Sequence, residues 1–212
     1  MSDTKARDEI VRTSLSLFER GLTAGSTGNI SVRTDYGWLM TPTGSSLGNL
    51  DPARLSQLDE AGRHIGGDKP TKEGSLHVAL YRKRPKANAV VHLHSIHCVA
   101  VSCIHGLDPK DALPPLTAYQ IMRVGRLPLV PYFPPGDENL ARSVSDAAET
   151  SHAMLLANHG SVVAGQSLAQ AADASEELEQ AARLYLMLKD IPYKGLSKDE
   201  VKEIERLFPS SV

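Results

Sequence analysis

Three histidines lie in a stretch whose other residues are typical of a buried strand, residues 88–102, "NAVVHLHSIHCVAVS". Residues two apart on a strand point to the same face, so His92 and His94 should project side by side. Such a pair can bind a metal ion, although two buried imidazoles bonded to carbonyl groups would also be tolerated. The same geometry predicts that His97 points to the opposite face of the strand.

Two residues elsewhere in the chain could complete a metal site. His159, in "LLANHGSVV", stands at the end of a predicted strand, where a third ligand can converge on the first two. Glu73, in "KPTKEGSLH", is placed at a predicted junction between a loop and a helix. Three neutral imidazoles leave a Zn²⁺-like ion with an open position, and a carboxylate beside it can act as ligand, as base, or as each in turn.

Three loops rich in small residues could bind an anion such as phosphate. Glycine allows backbone N–H groups to approach an anion closely, and an asparagine amide can donate to it. Each loop alone is also consistent with an ordinary turn. The residues concerned are Gly28 and Asn29 in "STGNIS", Thr43 and Gly44 in "TPTGSS", and Thr71 and Lys72 directly before Glu73.

These residues must be positioned by a mixture of helices and strands. Apolar periodicity and capping signals predict helices over residues 2–21, 73–85, 138–151, 167–192 and 197–208, the fourth capped by Ser167. Alternating patterns predict a hairpin at residues 30–41, a strand at 89–95, a proline-interrupted strand within 127–140 and two short strands around His159. Residues 43–52 should form a loop. We therefore predict one α/β/α layered domain over residues 1–212.

The composition excludes several classes of function. With 212 residues, 41% hydrophobic content and a net charge of −2, the chain has no basic surplus for nucleic acid. No apolar run approaches the roughly 20 residues that span a bilayer, and no secretory signal is evident, so we expect a cytoplasmic protein without a membrane partner. The two cysteines, Cys98 and Cys103, are expected to be buried thiols.

Six motifs, taken together and in order, resemble those of the class II aldolase/adducin family. The resemblance covers most of residues 21–180 and implies a central, mostly antiparallel sheet between layers of helices. The motifs are "GLTAGSTGNISVR", "MTPTGSSL", "KPTKEGSLHVALY", "VVHLHS", "PPLTAYQI" and "LLANHGSVV".

The resemblance also implies roles for individual residues. His92, His94 and His159 would bind one Zn²⁺ per subunit, and Glu73 would be the acid/base that also contacts the metal. The three small-residue loops would bind phosphate. Tyr119 would reach the active site of a neighbouring subunit, which implies a homo-oligomer, a cyclic tetramer in this family. Ordinary core or surface roles are expected for the other histidines, which are His64, His77, His97, His105 and His152.

Residues 113–141 are similar to the branch of the family that decarboxylates 3-oxo-tetronate 4-phosphate. The implied reaction is zinc-dependent loss of CO₂ to give dihydroxyacetone phosphate, with zinc as the Lewis acid for the enediolate that CO₂ loss leaves. A sugar-phosphate aldolase of the fuculose phosphate type passes through the same enediolate and remains the main alternative. A ribulose phosphate 4-epimerase or a methylthioribulose phosphate dehydratase is less favoured, and a non-enzymatic adducin-like module would not need the four clustered residues.

Lys72 departs from the pattern of the family. Relatives often carry two small hydroxyl residues where this chain has Thr71 and Lys72. The lysine adds a positive charge that would suit the phosphate or a substrate carboxylate, and Arg123 is a weaker candidate for the carboxylate. This extra charge favours the decarboxylase over the aldolase.

Overall fold

A computed structural model of the protein describes residues 3–210 and residue 212. Its helices are α1 (Asp3–Glu19), α2 (Gly74–Lys83), α3 (Ile96–Ser102), α4 (Ala118–Arg123), α5 (Glu138–Ala147), α6 (Leu168–Leu188) and α7 (Lys198–Leu207). Its strands are β1 (Asn29–Thr34), β2 (Gly37–Met40), β3 (Ser56–Asp59), β4 (His64–Gly66), β5 (Ala89–Leu93), β6 (Leu129–Val130), β7 (Ala153–Leu156) and β8 (Gly160–Gly165). A single 3₁₀ turn (Pro52–Arg54) precedes β3.

The eight strands form one sheet in the order β4-β3-β2-β1-β5-β8-β7-β6. Every neighbouring pair is antiparallel except β6 and β7, which run parallel. The prediction of a mostly antiparallel sheet is therefore confirmed. Strand β5, which carries His92, lies between β1 and β8, so its backbone is paired on both sides.

Helices cover both faces of the sheet, as predicted for an α/β/α fold. Alternate residues of β5 belong to different hydrophobic clusters, because successive side chains of a strand point to opposite faces. Val90 packs in a cluster with Leu80 of α2 and with residues of α5. Val91 packs in a second cluster with Ile10 of α1 and with residues of α6.

Local capping signals explain where several helices begin. Ser167 accepts a hydrogen bond from the backbone N–H of Gln170 at the start of α6, as predicted. Asp137 caps α5 and Thr117 caps α4 in the same manner. Ser197 forms a reciprocal capping box with α7. Among the described helices, none combines the length and the apolar character that crossing a bilayer requires.

The histidine-rich stretch is a strand only in its first half. Strand β5 ends at Leu93, two residues before the end of the predicted strand, and α3 begins two residues after His94, so His97 lies on a helix and the argument for its orientation on a strand does not apply. A short apolar run fits either element by periodicity, and here Ser95 stands at the helix N-cap position. The predictions also missed β3, β4 and α4, and Cys103 is exposed rather than buried.

Candidate metal centre

The four predicted metal ligands converge at one point. One donor atom from each of Glu73, His92, His94 and His159 lies within 4.8 Å of the other three. The centroids of the three imidazole rings are 4.7 to 4.9 Å apart, and the Nε2 atoms of His92 and His94 are separated by 3.0 Å. His92, Glu73 and His159 are buried, whereas His94 is partly exposed and marks the open side of the cluster.

A backbone carbonyl sets the orientation of His92. Its Nδ1 donates to the carbonyl oxygen of Ser161 on β8 at 2.8 Å. In a neutral imidazole the other nitrogen then carries the lone pair, so Nε2 faces the cluster as an acceptor. The pairing of β5 with β8 thereby fixes the tautomer that a metal ligand needs.

The segment that carries His94 is held by a carboxylate from α6. The two oxygens of Glu179 accept the backbone N–H groups of His97 at 3.1 Å and Cys98 at 3.0 Å, at the start of α3. The Nδ1 atom of His97 also lies 2.6 Å from Oε1 of Glu179. Because α3 begins two residues after His94, this contact fixes the backbone that leaves the metal centre.

A tight turn between β7 and β8 presents His159. The backbone N–H of His159 donates to the carbonyl of Leu156, and Asn158 adopts a left-handed conformation with φ of 55°. At Gly160 a Cβ atom would lie 2.3 Å from the carbonyl oxygen of Leu93. Glycine is therefore required there for β8 to approach the end of β5 and bring His159 beside His92.

Glu73 is the residue directly before α2, and its carboxylate enters the cluster. Its Oε2 accepts from Nδ2 of Asn29 at 2.8 Å and lies 3.2 Å from Nε2 of His92. Burial alone would raise the pKa of Glu73, but the adjacent imidazoles of His92 and His159 and the hydrogen bond from Asn29 outweigh burial and hold this pKa well below its usual range. The side chain is therefore a carboxylate in the resting protein.

The centre of the cluster is suited to a divalent cation. Oε1 of Glu73 and Nε2 of His159 are both buried without a hydrogen-bond partner, and they lie 3.1 Å apart. Burial, together with the neighbouring imidazoles of His92 and His159, lowers the pKa of His94 to about 4, so its ring is neutral and can bind a metal. Buried, unsatisfied lone pairs that point at one another are costly unless a cation satisfies them, and three nitrogens with one carboxylate oxygen suit Zn²⁺.

Comparison with known families agrees with this geometry. Residues 8–186 match the family described as "Class II Aldolase and Adducin N-terminal domain". The chain belongs to this family. It is 48% identical over 204 residues to the 3-oxo-tetronate 4-phosphate decarboxylase of Pectobacterium atrosepticum, with 96% of this chain and 94% of the relative covered. It is 34% identical over 212 residues to the L-fuculose phosphate aldolase of Escherichia coli (strain K12), with 98% and 96% covered.

A solved structure of the same family has the same architecture. The crystal structure of YgbL from Klebsiella pneumoniae superposes with a TM-score of 0.94 and is 46% identical in sequence. The match covers 96% of this chain and 99% of that chain. The class II aldolase fold predicted from the sequence is therefore confirmed over nearly the whole chain.

The three predicted phosphate loops lie next to one another in this chain. Pro42 and Pro70 form an isolated antiparallel bridge, which places the loop of Thr43 and Gly44 beside the loop of Thr71 and Lys72. The hydrogen bond from Asn29 to Glu73 brings the first loop to the third. The hydroxyl of Thr71 accepts the backbone N–H of Glu73 at 3.3 Å, so this loop also orients Glu73.

Gly28 has a structural requirement of its own. Its φ is +77°, and a Cβ atom there would lie 3.0 Å from the carbonyl oxygen of His92. A larger residue would therefore press on the strand that carries a metal ligand. By contrast, Gly44 has a φ of +72° with open space around it, which leaves room for an anion.

The two candidate cations are placed differently. Lys72 is exposed, forms no ion pair with any described residue, and lines with Thr71 a groove of about 910 Å³ along α2 and α5. None of the four clustered side chains lines this groove, so its size alone does not identify the substrate site. Arg123 instead pairs with Asp173 of α6 at 3.0 Å.

Tyr119 lies on the outer surface of the chain. It occupies α4 with 58% of its surface exposed, and the guanidinium of Arg123 lies 5.7 Å from the centre of its ring. The predicted role of Tyr119 at a neighbouring subunit requires an exposed side chain, and this role stays a prediction.

Polar residues behind the metal centre were missed at the sequence level. His77 is buried and contacts Asn29 and Ser31, and Ser31 contacts Tyr81. The available signal was the spacing of Glu73, His77 and Tyr81, which recur every four residues and therefore share one face of α2.

Replacement of Asn158 tests whether its left-handed turn positions His159. We expect Asn158→Gly to retain stability and metal, because glycine adopts φ of 55° without strain. Asn158→Val should lower the free energy of unfolding by about 1–3 kcal/mol and weaken metal binding. Thermal denaturation and zinc titration of the two variants measure these effects. Equal stability and equal zinc affinity in both variants would contradict the prediction.

Proposed function

We propose that this chain decarboxylates 3-oxo-tetronate 4-phosphate to dihydroxyacetone phosphate and CO₂. The observation that carries the proposal is a difference in identity over nearly the same span. Five relatives named as 3-oxo-tetronate 4-phosphate decarboxylases are 46 to 48% identical to the chain, whereas relatives named as L-fuculose phosphate aldolases are 34% identical. Both reactions release dihydroxyacetone phosphate, so the metal centre supports either of them.

The reaction requires that a developing negative charge be stabilised and that one proton be delivered to carbon. When the bond between C1 and C2 breaks, CO₂ leaves and its electron pair remains at C2, conjugated with the C3 carbonyl as an enediolate. A Zn²⁺ ion bound by His92, His94, His159 and Glu73 would supply Lewis-acid stabilisation of this charge. Protonation at C2 then yields dihydroxyacetone phosphate. Glu73, held by Asn29 at the edge of the cluster, is the group that we assign to this proton transfer.

We assign the substrate phosphate to the three adjoining loops, with Gly28, Asn29, Thr43, Gly44 and Thr71 supplying donors and open space. Lys72 is the candidate for the substrate carboxylate or the phosphate, because its ammonium group is exposed and has no ion-pair partner among the described residues. Arg123 is less suitable, since Asp173 already neutralises it.

Removal of the phosphate from the substrate should have a large effect on turnover. We expect the dephosphorylated analogue to lose most of its kcat/KM, because the binding energy of the remote phosphate is then not available to position the reacting carbons. Steady-state kinetics with both compounds measure this effect. Comparable kcat/KM values for the two compounds would refute a phosphate site in these loops.

We further propose that the active enzyme is a homotetramer and that Tyr119 acts at a neighbouring subunit. The exposed position of Tyr119 on α4 supports this assignment, since more than half of its surface is accessible in the isolated chain. The family likeness supports the tetramer. Light scattering of Tyr119→Phe and wild-type protein, together with their kinetics, separates a role in assembly from a role in catalysis.

The decisive experiment compares two substrates with the zinc-loaded protein. A decarboxylase should release CO₂ and dihydroxyacetone phosphate from 3-oxo-tetronate 4-phosphate and leave L-fuculose 1-phosphate intact. An aldolase should instead release dihydroxyacetone phosphate and an aldehyde from L-fuculose 1-phosphate. Turnover of the second compound alone would replace the proposed function with the aldolase alternative.

A further inference from the structure

A buried chain of hydrogen bonds leads from α2 to the metal centre. The hydroxyls of Tyr81 and Ser31 are 2.9 Å apart, and Ser31 Oγ lies 2.7 Å from Nδ1 of His77. Nε2 of His77 lies 2.5 Å from Oδ1 of Asn29, whose Nδ2 is 2.8 Å from Oε2 of Glu73. All five side chains are at most 7% exposed. Each contact in this chain therefore joins two buried side chains directly.

The direction of every bond in this chain follows from its last member. A carboxylate can only accept, so Asn29 must turn its NH₂ group toward Glu73. The amide oxygen of Asn29 then faces His77 and can only accept, so Nε2 of His77 must carry a proton. The hydroxyl of Ser31 donates to the remaining nitrogen, Nδ1, and the hydroxyl of Tyr81 donates to Ser31. Each donor therefore points toward Glu73.

The protonation state of His77 agrees with this direction. Burial, together with the nearby imidazole of His92, lowers the pKa of His77 to about 3, so the ring is neutral and has one donor and one acceptor nitrogen. A doubly protonated ring would place an N–H against the hydroxyl of Ser31 and reverse that bond.

We propose that His77, as its Nε2–H tautomer, is a positioning residue that locks the amide of Asn29 with its N–H toward Glu73. Without that donor the Asn29 amide can rotate by half a turn, and its carbonyl would then face the carboxylate of Glu73. Lone pairs would oppose each other, and Glu73 would lose the contact that holds Oε2 and leaves Oε1 directed at the centre of the cluster.

The cost of burying these groups supports a functional role. A leucine of similar size at position 77 would add apolar area to the core between α2 and the sheet, whereas a buried imidazole must have both nitrogens satisfied. The spacing along α2 is also consistent with a positioning role. Glu73, His77 and Tyr81 share one face of this helix. That face lies against Asn29 and Ser31 of β1. The proposal rests on the proposed function only for the role of Glu73 in turnover.

The first test observes the tautomer directly. Long-range ¹H–¹⁵N spectra of zinc-loaded, ¹⁵N-histidine-labelled protein should show His77 protonated at Nε2 and unprotonated at Nδ1, with His77→Gln used to assign the signals. This result does not depend on which substrate the protein uses. Protonation at Nδ1, or at both nitrogens, would overturn the proposal even if decarboxylase activity is found.

The second test uses three variants that each alter one link. His77→Leu removes the donor to Asn29, and kcat should fall about 10- to 100-fold with little change in KM, as for other groups that orient a metal-site residue. His77→Gln keeps an N–H in reach of Asn29 and should recover most of the loss. Tyr81→Phe removes a buried hydroxyl farther along the chain but leaves the bond from His77 to Asn29, so its kcat should stay near that of the wild type.

The pattern across the variants decides between positioning and simple stability. Thermal denaturation and zinc content are measured for each variant, so that loss of fold or of metal is not mistaken for misplacement of Glu73. If His77→Leu is folded, holds zinc and retains wild-type kcat, the proposal is wrong. If it does not fold, the tautomer of the wild type and the comparison of His77→Gln with Tyr81→Phe decide. A tenfold or larger loss of kcat in either of those two variants, folded and loaded with zinc, would also refute it.

Discussion

Alanine at His94 should remove most of the bound metal and lower kcat/KM by about 10³-fold or more. A bound cation contributes several kcal/mol to the stabilisation of developing negative charge, and about 1.4 kcal/mol corresponds to a tenfold change in rate. His94 is the cleanest of the three ligands to remove, because it is partly exposed, whereas His92→Ala would leave the carbonyl of Ser161 without its donor. His159→Ala should have a similar effect on metal content.

The control for this prediction is His105→Ala, which removes an exposed histidine outside the cluster. Metal analysis of the purified wild type and of this control should give about one divalent ion per chain, with zinc expected from three imidazoles and one carboxylate. Full metal occupancy in a variant that lacks His92, His94 and His159 together would show that the ion binds elsewhere.

The four candidate metal ligands could be singled out in the sequence because their spacing and positions are local features. His92 and His94 are two residues apart, and both Glu73 and His159 stand at the ends of elements that short-range patterns identify. The junctions are placed correctly because glycine and capping residues act over only a few positions. Convergence of the four residues then follows from the order of the strands in the sheet, which was not predicted, whereas the family resemblance implied the set of four ligands.

The stretch after His94 shows where local patterns are insufficient. Residues 96–102 are apolar enough for a buried strand or a short helix, and the choice depends on Glu179, which is about 80 residues away in the sequence. Its carboxylate accepts two backbone N–H groups that a strand would give to a neighbouring strand. A contact between residues so distant in the chain has no signature in a single sequence.

The hydrogen-bond chain behind Glu73 was hidden for the same reason. Periodicity shows that His77 and Tyr81 share a face of α2 with Glu73, and that Asn29 and Ser31 share a face of β1. It does not show that these two faces meet. That contact depends on how α2 packs across the sheet, which the sequence alone leaves open. The sequence therefore predicted only an ordinary core or surface role for His77.

Glu73→Gln should retain the fold and most of the metal and lose about 10²-fold or more of the rate, the usual size of a general acid–base contribution. Asn29 donates to Oε2 of Glu73, so the amide oxygen of glutamine can take that position with its NH₂ group toward His159. The substitution therefore removes the charge and the proton-transfer capacity while it keeps the hydrogen bond to Asn29. Three histidines remain to bind the ion.

The reaction itself determines how the loss should appear. Cleavage of the bond to CO₂ needs no base, so Glu73 is required chiefly to deliver a proton to C2, and the resting carboxylate must first gain that proton from solvent. An aldolase that works in the direction of synthesis must instead remove a proton from carbon before any bond forms. The decarboxylase should therefore tolerate Glu73→Gln better than an aldolase would, because water can partly replace an acid.

Two rates measured together in deuterated water separate the possible roles of Glu73. One is the release of CO₂ from 3-oxo-tetronate 4-phosphate, and the other is the exchange of deuterium into dihydroxyacetone phosphate supplied alone, both in wild type and in Glu73→Gln with equal zinc content. If Glu73 delivers the proton, exchange at the product carbon should fall more than CO₂ release, because only exchange needs the acid in both directions. If Glu73 served only to hold the ion, both rates should instead follow metal occupancy. Wild-type rates of both processes in a fully loaded Glu73→Gln enzyme would remove Glu73 from the mechanism, since neither its charge nor its proton would then be needed.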